Sequence, residues 1–227
     1  MDSLEYTPEE LLGPLNDVER RNAPSRLYLA GAVELLQRGS RVSVVGSRSA
    51  SADSLSRTRL LVTSLAAHGI TVVSGLAKGI DTAAHETAIR EGGRTIAVLG
   101  TPLDKVYPKQ NGELQRLIMW EHLAVSQFPP GYPSQKRNWP MRNRTMALLT
   151  DATVIVAAGE KSGTLHQGWE ALRLGRLLFL MESVATDTTL SWPSEMIRYG
   201  AQVLSRDNLE LFLEEIPERS RGEPVTF

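Results

Sequence analysis

Two glycine-containing segments carry residue types that could bind an anion. The first is Gly46-Ser47-Arg48 and the second is SGLAKGIDTAAH at 74–85; each follows a short β-branched run. Glycine permits tight turns and a close approach of the backbone to a ligand, and free amides at a helix N-terminus favour a phosphate group. Arg48 and Lys78 add positive charge. The two segments predict a shared phosphate site, but the glycine turns of an ordinary α/β sheet would look the same without a ligand.

The segment 122–150 combines cations with aromatic rings and contains no Asp or Glu. Its cations are Lys136, Arg137, Arg142 and Arg144, and its rings are Phe128, Tyr132 and Trp139. Interleaved cations and rings are typical of proteins that bind single-stranded nucleic acid, where stacking contributes about 1–3 kcal/mol per base. Phe128 and Trp139 are therefore candidates for base stacking. The alternative is that the rings pack in the interior and the arginines form a solvated face.

Three further groups of polar residues allow both a structural and a chemical interpretation. The hydroxyls of Ser162-Gly163-Thr164 precede an apolar helical segment, so they could cap that helix or contact a phosphate. His85 lies four residues after Asp81 on the same helical face, but no third ligand appears at a spacing suited to a metal, which favours a structural histidine. Asp104 fits a turn better than a catalytic carboxylate. We expect no metal, no cofactor and no catalytic residue.

Composition limits the class of protein. The 227 residues are 41% hydrophobic, which is enough for one sizeable core. The 25 basic and 26 acidic residues give a net charge of −1, so the overall charge does not indicate a nucleic-acid partner. The absence of Cys from the sequence excludes disulfides, thiolate metal sites and a Cys nucleophile. No apolar run approaches the roughly 18–20 residues of a membrane span. We expect a soluble, cytoplasmic protein without a membrane partner.

Strand-like and helix-like segments alternate along the chain, as in an α/β fold. Short apolar runs predict strands at 42–45, 70–73, 95–99, 153–157 and 177–181. Apolar residues at helical spacing predict helices at 54–68, 81–91, 111–120, 141–149 and 163–174. This alternation predicts a doubly wound, mostly parallel sheet with helices on both faces. Ligands of such sheets bind at the carboxyl ends of the strands, where both glycine segments would lie.

Two terminal segments interrupt this alternation. Residues 1–40 contain Pro8, Pro14 and Pro24 and are predicted to form an N-terminal extension packed on the core. Residues 41–215 form the predicted main domain. Residues 216–227 are polar, contain two prolines and predict a flexible tail.

Five motifs together resemble the DprA/Smf family of DNA-processing proteins. They are GSR at 46–48, SGLAKGIDTAAH at 74–85, AVLGTPLDKVYPKQN at 97–111, RNR at 142–144 and SGTL at 162–165. Proteins of this family bind single-stranded DNA and load the RecA recombinase onto it. The resemblance implies an extended Rossmann-like fold, a basic pocket for the phosphates of single-stranded DNA, a homodimer, a RecA-type partner and no established catalytic reaction.

The resemblance also implies a set of binding residues. The DNA-contacting positions carried over from the motifs are Gly46, Ser47, Arg48, Ser74, Gly75, Lys78, Lys109, Arg142, Asn143, Arg144, Ser162, Gly163 and Thr164. The sequence departs from the family pattern at Pro102, where a glycine is common, and at Gln127, where a glutamate is common. The chain also has no room for the SAM-like and winged-helix-like flanking domains that members often carry.

A nucleotide-processing enzyme is the alternative from a different functional class. Lonely-guy-type phosphoribohydrolases share the broad fold and use a Gly-Gly-x-Gly-Thr turn with a following glutamate. Here Glu170 lies six residues after Thr164, but the first glycines of that turn are replaced by Glu160-Lys161-Ser162. A nucleotide sensor without turnover is a third possibility on the same fold.

Overall fold

The computed structural model describes residues 4–217, which form one nine-stranded sheet with helices around it. None of the helices in this part of the chain is long and apolar enough to cross a membrane. The strands are β1 (Leu4–Tyr6), β2 (Leu27–Gly31), β3 (Arg41–Gly46), β4 (Thr71–Ser74), β5 (Thr95–Leu99), β6 (Leu123–Ser126), β7 (Ala152–Ala157), β8 (Leu177–Met181) and β9 (Gln202–Leu204). The α-helices are α1 (Pro8–Leu12), α2 (Asp17–Arg20), α3 (Ala52–Ala67), α4 (Ile80–Arg90), α5 (Gly112–Glu121), α6 (Asn138–Leu149), α7 (Thr164–Arg173), α8 (Glu182–Ala185), α9 (Trp192–Arg198) and α10 (Leu209–Glu215). Short 3₁₀ helices cover Val33–Leu36 and Lys109–Asn111.

The sheet is mostly parallel, in the order β1-β2-β6-β5-β4-β3-β7-β8-β9. All neighbouring pairs from β6 to β9 in this order are parallel, whereas β1 pairs with β2, and β2 with β6, in antiparallel fashion. This arrangement confirms the predicted Rossmann-like α/β class. It adds four strands, β1, β2, β6 and β9, that the sequence did not reveal.

Helices cover both faces of the sheet, as predicted. Side chains alternate along a strand, so Val44 of β3 packs in one apolar layer and Val45 in the other. The layer on Val44 includes residues of α3, α4 and α10. The layer on Val45 includes residues of α1, α6 and α9. Burial of both layers fixes the sheet between them, and the strand ends on either side of β3 are held in a defined geometry.

The structure describes most of the predicted N-terminal extension but only the first two residues of the predicted tail. The residues predicted as an N-terminal extension contain β1 and β2, which are hydrogen-bonded strands of the sheet itself. Of the predicted tail, Ile216 is buried in the core beside α10, and the Pro217 carbonyl accepts a hydrogen bond from Ser40 Oγ at 2.9 Å. The rest of that tail lies outside the described residues.

The chain reverses its direction of winding at β3. From β3 the chain proceeds to β4, β5 and β6 on one side of the sheet, and it later returns to place β7, β8 and β9 on the other side. The connections that leave β3 and β7 therefore diverge. In open α/β sheets the crevice at such a switch point, outside the carboxyl ends of the strands, is where ligands bind.

Candidate functional site

A cleft of about 560 Å³ opens at this switch point between β3 and β7. One wall is the turn after β3, at 45–49, and the opposite wall is the segment 159–167 around the start of α7. The first half of α6, within 136–146, closes a third side. Ala77 and Asp81 at the start of α4 lie on the floor. The structure thus brings the GSR, SGLAKGID, RNR and SGTL motifs to one cavity.

The turn after β3 is fixed by contacts with its neighbours. A Cβ on Gly46 would lie 2.7 Å from Ile80 Cγ1 and 2.9 Å from the Ala157 carbonyl oxygen, so only glycine fits. The Ser47 amide donates to the Ala157 carbonyl at 2.7 Å, and the Ser47 hydroxyl accepts a hydrogen bond from the Ser49 amide at 3.1 Å. These two amides are therefore occupied by the protein itself. What the turn offers to a ligand is chiefly the exposed side chain of Arg48.

Arg48 belongs to a row of flat groups on the rim of the cleft. Its guanidinium carbon lies 5.9 Å from the centre of the Trp139 ring, and Tyr107 lies on the same ring at a centroid distance of 4.8 Å. The Trp139 ring packs on Gly100, where a Cβ would approach the ring to 2.1 Å. Tyr107 was not predicted as a site residue. The sequence offers one indication of this role, since Tyr107 lies two residues before Lys109 in the YPKQN stretch of the third motif. Its side chain is 48% exposed.

Arg142 lies in the floor of the cleft rather than on its rim. Its side chain is 6% exposed, and its Nη1 atom lies 3.9 Å from Asp81 Oδ2 and donates to the Val98 carbonyl at 3.2 Å. A Cβ on Gly75 would lie only 1.2 Å from Arg142 Nη1. Gly75 therefore makes room for the guanidinium, which differs from the direct phosphate contact that the motif predicts for this glycine.

Burial of this ion pair changes the acidity of both partners. Desolvation raises the pKa of Asp81 above its ordinary value, and the positive charge of Arg142 opposes this shift. Desolvation lowers the pKa of Arg142, and the charge of Asp81 opposes that shift in turn. The floor of the cleft therefore contains two opposite charges that nearly cancel. The positive charge that is available to a ligand lies on the rim of the cleft.

The remaining residues of the second motif separate into buried and exposed positions. Ser74 is buried and donates its hydroxyl to the Val44 carbonyl at 2.7 Å, so it holds two strands together and does not line the cleft. Lys78 and Lys109 are exposed and lie outside the cleft lining. Their two loops are joined by Asn111, whose Nδ2 donates to the Leu76 carbonyl at 2.9 Å. These two lysines would extend a binding surface beyond the cleft.

Two further predicted site residues, Phe128 and Arg144, also lie outside the cleft lining. Phe128 is 2% exposed, with its ring 5.1 Å from that of Tyr132. A base cannot reach a ring buried in this way, so Phe128 is corrected from a stacking candidate to a packing residue. Arg144 is exposed on α6 but is not part of the cleft lining. The residues of α6 that line the cleft are Trp139, Pro140, Arg142, Asn143 and Met146, and Lys136 lines it just before the helix begins.

The SGT turn lines the cleft and also has structural roles. The Ser162 hydroxyl accepts a hydrogen bond from the Thr164 amide, the first amide of α7, at 3.2 Å. Thr164 Oγ1 donates to the Gly46 carbonyl at 3.3 Å, and Asn143 Nδ2 donates to the Gly163 carbonyl at 3.1 Å. The turn therefore ties three walls of the cleft together, and Gly163, which has no side chain to cap α7, holds its N-cap position.

Glu170 does not reach the cleft. It is 8% exposed, its two carboxylate oxygens accept hydrogen bonds from Arg173 at 3.0 and 2.6 Å, and it is not among the lining residues. The position one helical turn earlier that does line the cleft is Gln167, a neutral amide. The geometry that a glutamate would need for acid or base chemistry in this cavity is therefore missing.

The exposed cations around the cleft have no carboxylate partners. Arg48, Lys136 and Lys161 all line it, and none is within 4.0 Å of a carboxylate of residues 4–217. Elsewhere on the surface, Arg90 and Arg116 are paired with glutamates. Lys136 and Lys161 were not predicted as site residues, although Lys161 directly precedes the SGT turn. The mouth of the cavity thus carries three exposed positive charges that no carboxylate of residues 4–217 pairs with.

His85 lies behind the site and has a structural contact. Its Nδ1 atom is 2.7 Å from Thr95 Oγ1, and burial lowers the pKa of His85 to about 3. The imidazole is therefore neutral at ordinary pH. Within the described residues, no group of three or more His, Cys, Asp or Glu side chains could hold a metal ion.

Comparison with known proteins gives the family. The model of the family "DNA recombination-mediator protein A" matches residues 5–216. The chain is 33% identical over 197 residues to DNA processing protein DprA of Bacillus subtilis, covering 87% of this chain and 66% of that protein. It is 38% identical over 184 residues to DNA processing protein DprA of Streptococcus pneumoniae, covering 81% and 64% respectively. The chain thus spans slightly less than two thirds of the length of these curated relatives.

Solved structures with the same fold agree. DNA processing protein A from Streptococcus pneumoniae superposes with a TM-score of 0.80 at 32% identity, over 96% of this chain and 75% of that one. A structure that concerns the single-stranded DNA binding mode of DNA processing protein A from Helicobacter pylori superposes with a TM-score of 0.79 at 26% identity, over 94% of both chains. With a family model that matches nearly all the described residues and relatives above 30% identity, this chain belongs to the DprA/Smf family of DNA recombination-mediator proteins.

Proposed function

We propose that this chain binds single-stranded DNA by its phosphate backbone in the cleft at the switch point, and that it delivers the bound strand to a RecA-type recombinase. The observation that carries the first part is the set of cations around the cavity, Arg48, Lys136 and Lys161, which have no carboxylate partner within residues 4–217. Phosphates are recognised mainly by such charges, independently of sequence. No metal ion or cofactor enters this proposal.

The distribution of charge suits a polymer better than a single nucleotide. Beyond the cleft, Lys78 and Lys109 lie on two linked loops, and Tyr107 connects the second loop to Trp139 by ring contact. A strand with one phosphate in the cleft would meet further cations along this side. Repeated phosphate contacts along a groove are the usual way in which single-stranded nucleic acid is bound without sequence preference.

The ring of Trp139 provides a reason for preferring single strands. It is partly exposed beside the cleft and held in place by Gly100 and Tyr107. An unpaired base can stack on such a ring, whereas the bases of a duplex are already stacked on one another. The related Helicobacter pylori protein, whose single-stranded DNA binding mode has been described, supports the same substrate for this chain.

Family membership supports the proposed partners. We infer that the chain pairs with a RecA-type recombinase and forms a homodimer through its sheet-bearing domain. Of the apolar segment Leu209 to Leu213, Phe212 and Leu213 are buried in the core and Leu211 is 58% exposed. Sedimentation of the purified chain tests the dimer. The loading step is tested by measuring RecA ATPase activity on single-stranded DNA that is already covered by another single-stranded-DNA-binding protein, with and without the chain.

Direct titration tests the DNA proposal. Labelled oligothymidine and a duplex of the same length are each titrated with the wild-type chain, with Lys161→Ala and with Arg90→Ala. Arg90 is an exposed arginine at the far end of α4, roughly 15 Å along the helix from its start at the cleft, so it is a matched control. We expect preferential binding of the single strand, weakened by Lys161→Ala and unchanged by Arg90→Ala. Equal binding of both DNAs, or equal effects of both variants, would contradict the proposal.

A further inference from the structure

A carboxylate in the floor of a cation-lined cleft needs an explanation. Asp81 lines the cavity that Arg48, Lys136 and Lys161 surround, and a negative charge there repels the phosphate that those cations attract. Of the Asp and Glu residues in 4–217, it is the one that lines this cavity. The side chain of Asp81 is 7% exposed, so solvent screens its charge only weakly.

The surroundings of Asp81 show which charge it balances. Arg142 Nη1 lies 3.9 Å from Asp81 Oδ2, and the Arg142 side chain is itself 6% exposed. Arg142 is held in this position by its hydrogen bond to the Val98 carbonyl. The Ala77 amide donates to Asp81 Oδ2 at 3.3 Å, and a hydrogen bond from the Gly75 amide likewise lowers the pKa of the carboxyl. Among these groups, Arg142 carries the formal positive charge.

We propose that Asp81 is the internal counter-ion of Arg142 and that it limits the affinity of the cleft for the phosphates of single-stranded DNA. This inference rests on the proposed function. With Asp81 ionised, the floor is close to neutral and a bound phosphate interacts mainly with the rim cations. Without the carboxylate, the guanidinium of Arg142 adds its charge to the cavity. A strand held less tightly dissociates faster, because differences in affinity arise mostly in the dissociation rate. That property suits a protein that passes its strand to another.

A purely structural role for Asp81 predicts a different effect on DNA affinity when its charge is removed, so the structural role and the counter-ion role can be distinguished by experiment. Asp81 lies in the first turn of α4 and accepts the Ala77 amide, so it also stabilises that turn. Asp81→Asn keeps an acceptor oxygen for this amide and removes the charge. If Asp81 is only structural, this variant binds DNA no better than the wild type. If it is a counter-ion, the variant binds more tightly.

The experiment measures oligothymidine affinity at several salt concentrations for the wild type, Asp81→Asn and the double variant Asp81→Asn/Arg142→Gln. We expect Asp81→Asn to bind about three- to tenfold more tightly, which corresponds to a Coulomb term of roughly 1 kcal/mol. We expect its salt slope to steepen by about 0.7, the value for one additional phosphate neutralised on a single strand. The double variant should return to the wild-type slope. A folded Asp81→Asn protein with unchanged or weaker binding overturns the proposal.

Two further measurements keep the proposal testable if Asp81→Asn does not fold or if the chain does not bind DNA. In a His166→Gln background, which removes the histidine of the cleft lining, affinity should still rise as the pH is lowered and Asp81, whose pKa burial raises, becomes protonated; an affinity that stays constant down to the lowest pH at which the chain remains folded contradicts the counter-ion role. Calorimetry with inorganic pyrophosphate as the probe tests the same charge without DNA. Tighter pyrophosphate binding by Asp81→Asn supports the counter-ion even where a lack of DNA binding refutes the proposed function, and unchanged binding overturns it.

Discussion

The guanidinium carbon of Arg48 lies 5.9 Å from the centre of the Trp139 ring, so that the turn after β3 and the start of α6 meet across the rim of the cleft. A guanidinium over an indole face gains roughly 0.5–1 kcal/mol at exposed sites. In the proposed function, Arg48 binds a phosphate and Trp139 stacks on a base. A phosphate and a base are the two groups that single-stranded DNA offers in every repeat.

Replacement of Trp139 by alanine should weaken oligothymidine binding by about 1–3 kcal/mol, the usual contribution of one stacked base. The salt slope should stay close to that of the wild type, because the ring neutralises no phosphate. Anisotropy titrations at two salt concentrations measure both quantities. Trp120→Ala is the matched control, since Trp120 is 74% exposed on the last turn of α5 and does not line the cleft. Equal losses in both variants would show that Trp139 has no specific role.

Gly75→Ala should destabilise the fold. The added methyl group would overlap Arg142 Nη1, which is held by Val98, so the guanidinium must move and lose that hydrogen bond. Overpacking of this kind costs about 1–3 kcal/mol. Urea denaturation measures the loss. Gly159→Ala, at a glycine with open space around its Cβ position, should leave stability within about 0.5 kcal/mol of the wild type. A stable Gly75→Ala variant would refute the close approach of Arg142.

Removal of His85 should flatten the pH dependence of stability on the acid side. Burial lowers the pKa of His85 from 6.5 to about 3. Between these values the unfolded chain binds a proton that the native chain does not, so the free energy of unfolding falls as the pH falls. The stabilising contribution is complete above the unfolded pKa and is lost through this window. The contribution to the slope approaches about 1.4 kcal/mol per pH unit.

Urea midpoints measured between pH 7 and pH 4 for the wild type and for His85→Gln test this prediction. His68→Gln is the control, because His68 is an exposed histidine at the end of α3. We expect a shallower acid slope only for His85→Gln. Parallel pH profiles for the wild type and His85→Gln would mean that the buried imidazole is not the source of the acid sensitivity.

Hydrolysis of nucleotides should not be detectable. Glu170 is held by Arg173 outside the cleft, and Gln167 occupies the lining position one turn earlier. A neutral amide cannot serve as a general acid or base. Incubation with a panel of nucleoside monophosphates, followed by chromatography, should show no free base above background. Release that persists in purified protein and is abolished by Asp81→Asn, a change to the carboxylate that lines the cleft, would revive the enzyme hypothesis.

The parts of the fold that sequence alone could predict are those with strong local signals. The central parallel strands are β-branched runs, and Gly46 and the SGT turn are recognisable from their residue types. β2 and β6 are short apolar segments whose strand state depends on pairing with each other and with β5. Such pairing is a tertiary effect that a local pattern does not contain.

The same distinction applies to the candidate site. Arg48, Trp139 and Thr164 were predicted and lie at the cleft, because motif chemistry and strand ends specify them. Arg142 was predicted at the mouth, but its burial depends on space left by Gly75 and on a carboxylate from another helix. Phe128 was predicted to stack on a base but is buried. An aromatic residue in a basic segment packs inward unless a neighbour holds it at the surface. Tyr107 is the neighbour that contacts Trp139 and holds it at the surface.

The salt dependence of oligothymidine binding by the wild type, Arg48→Ala and Arg90→Ala tests the central claim most directly. The logarithm of the binding constant is measured against the logarithm of the salt concentration, where each phosphate neutralised on a single strand contributes about −0.7 to the slope. The phosphate-binding cleft predicts that Arg48→Ala binds more weakly and has a slope less negative by about 0.7, while Arg90→Ala matches the wild type. An unchanged affinity and slope for Arg48→Ala would contradict it.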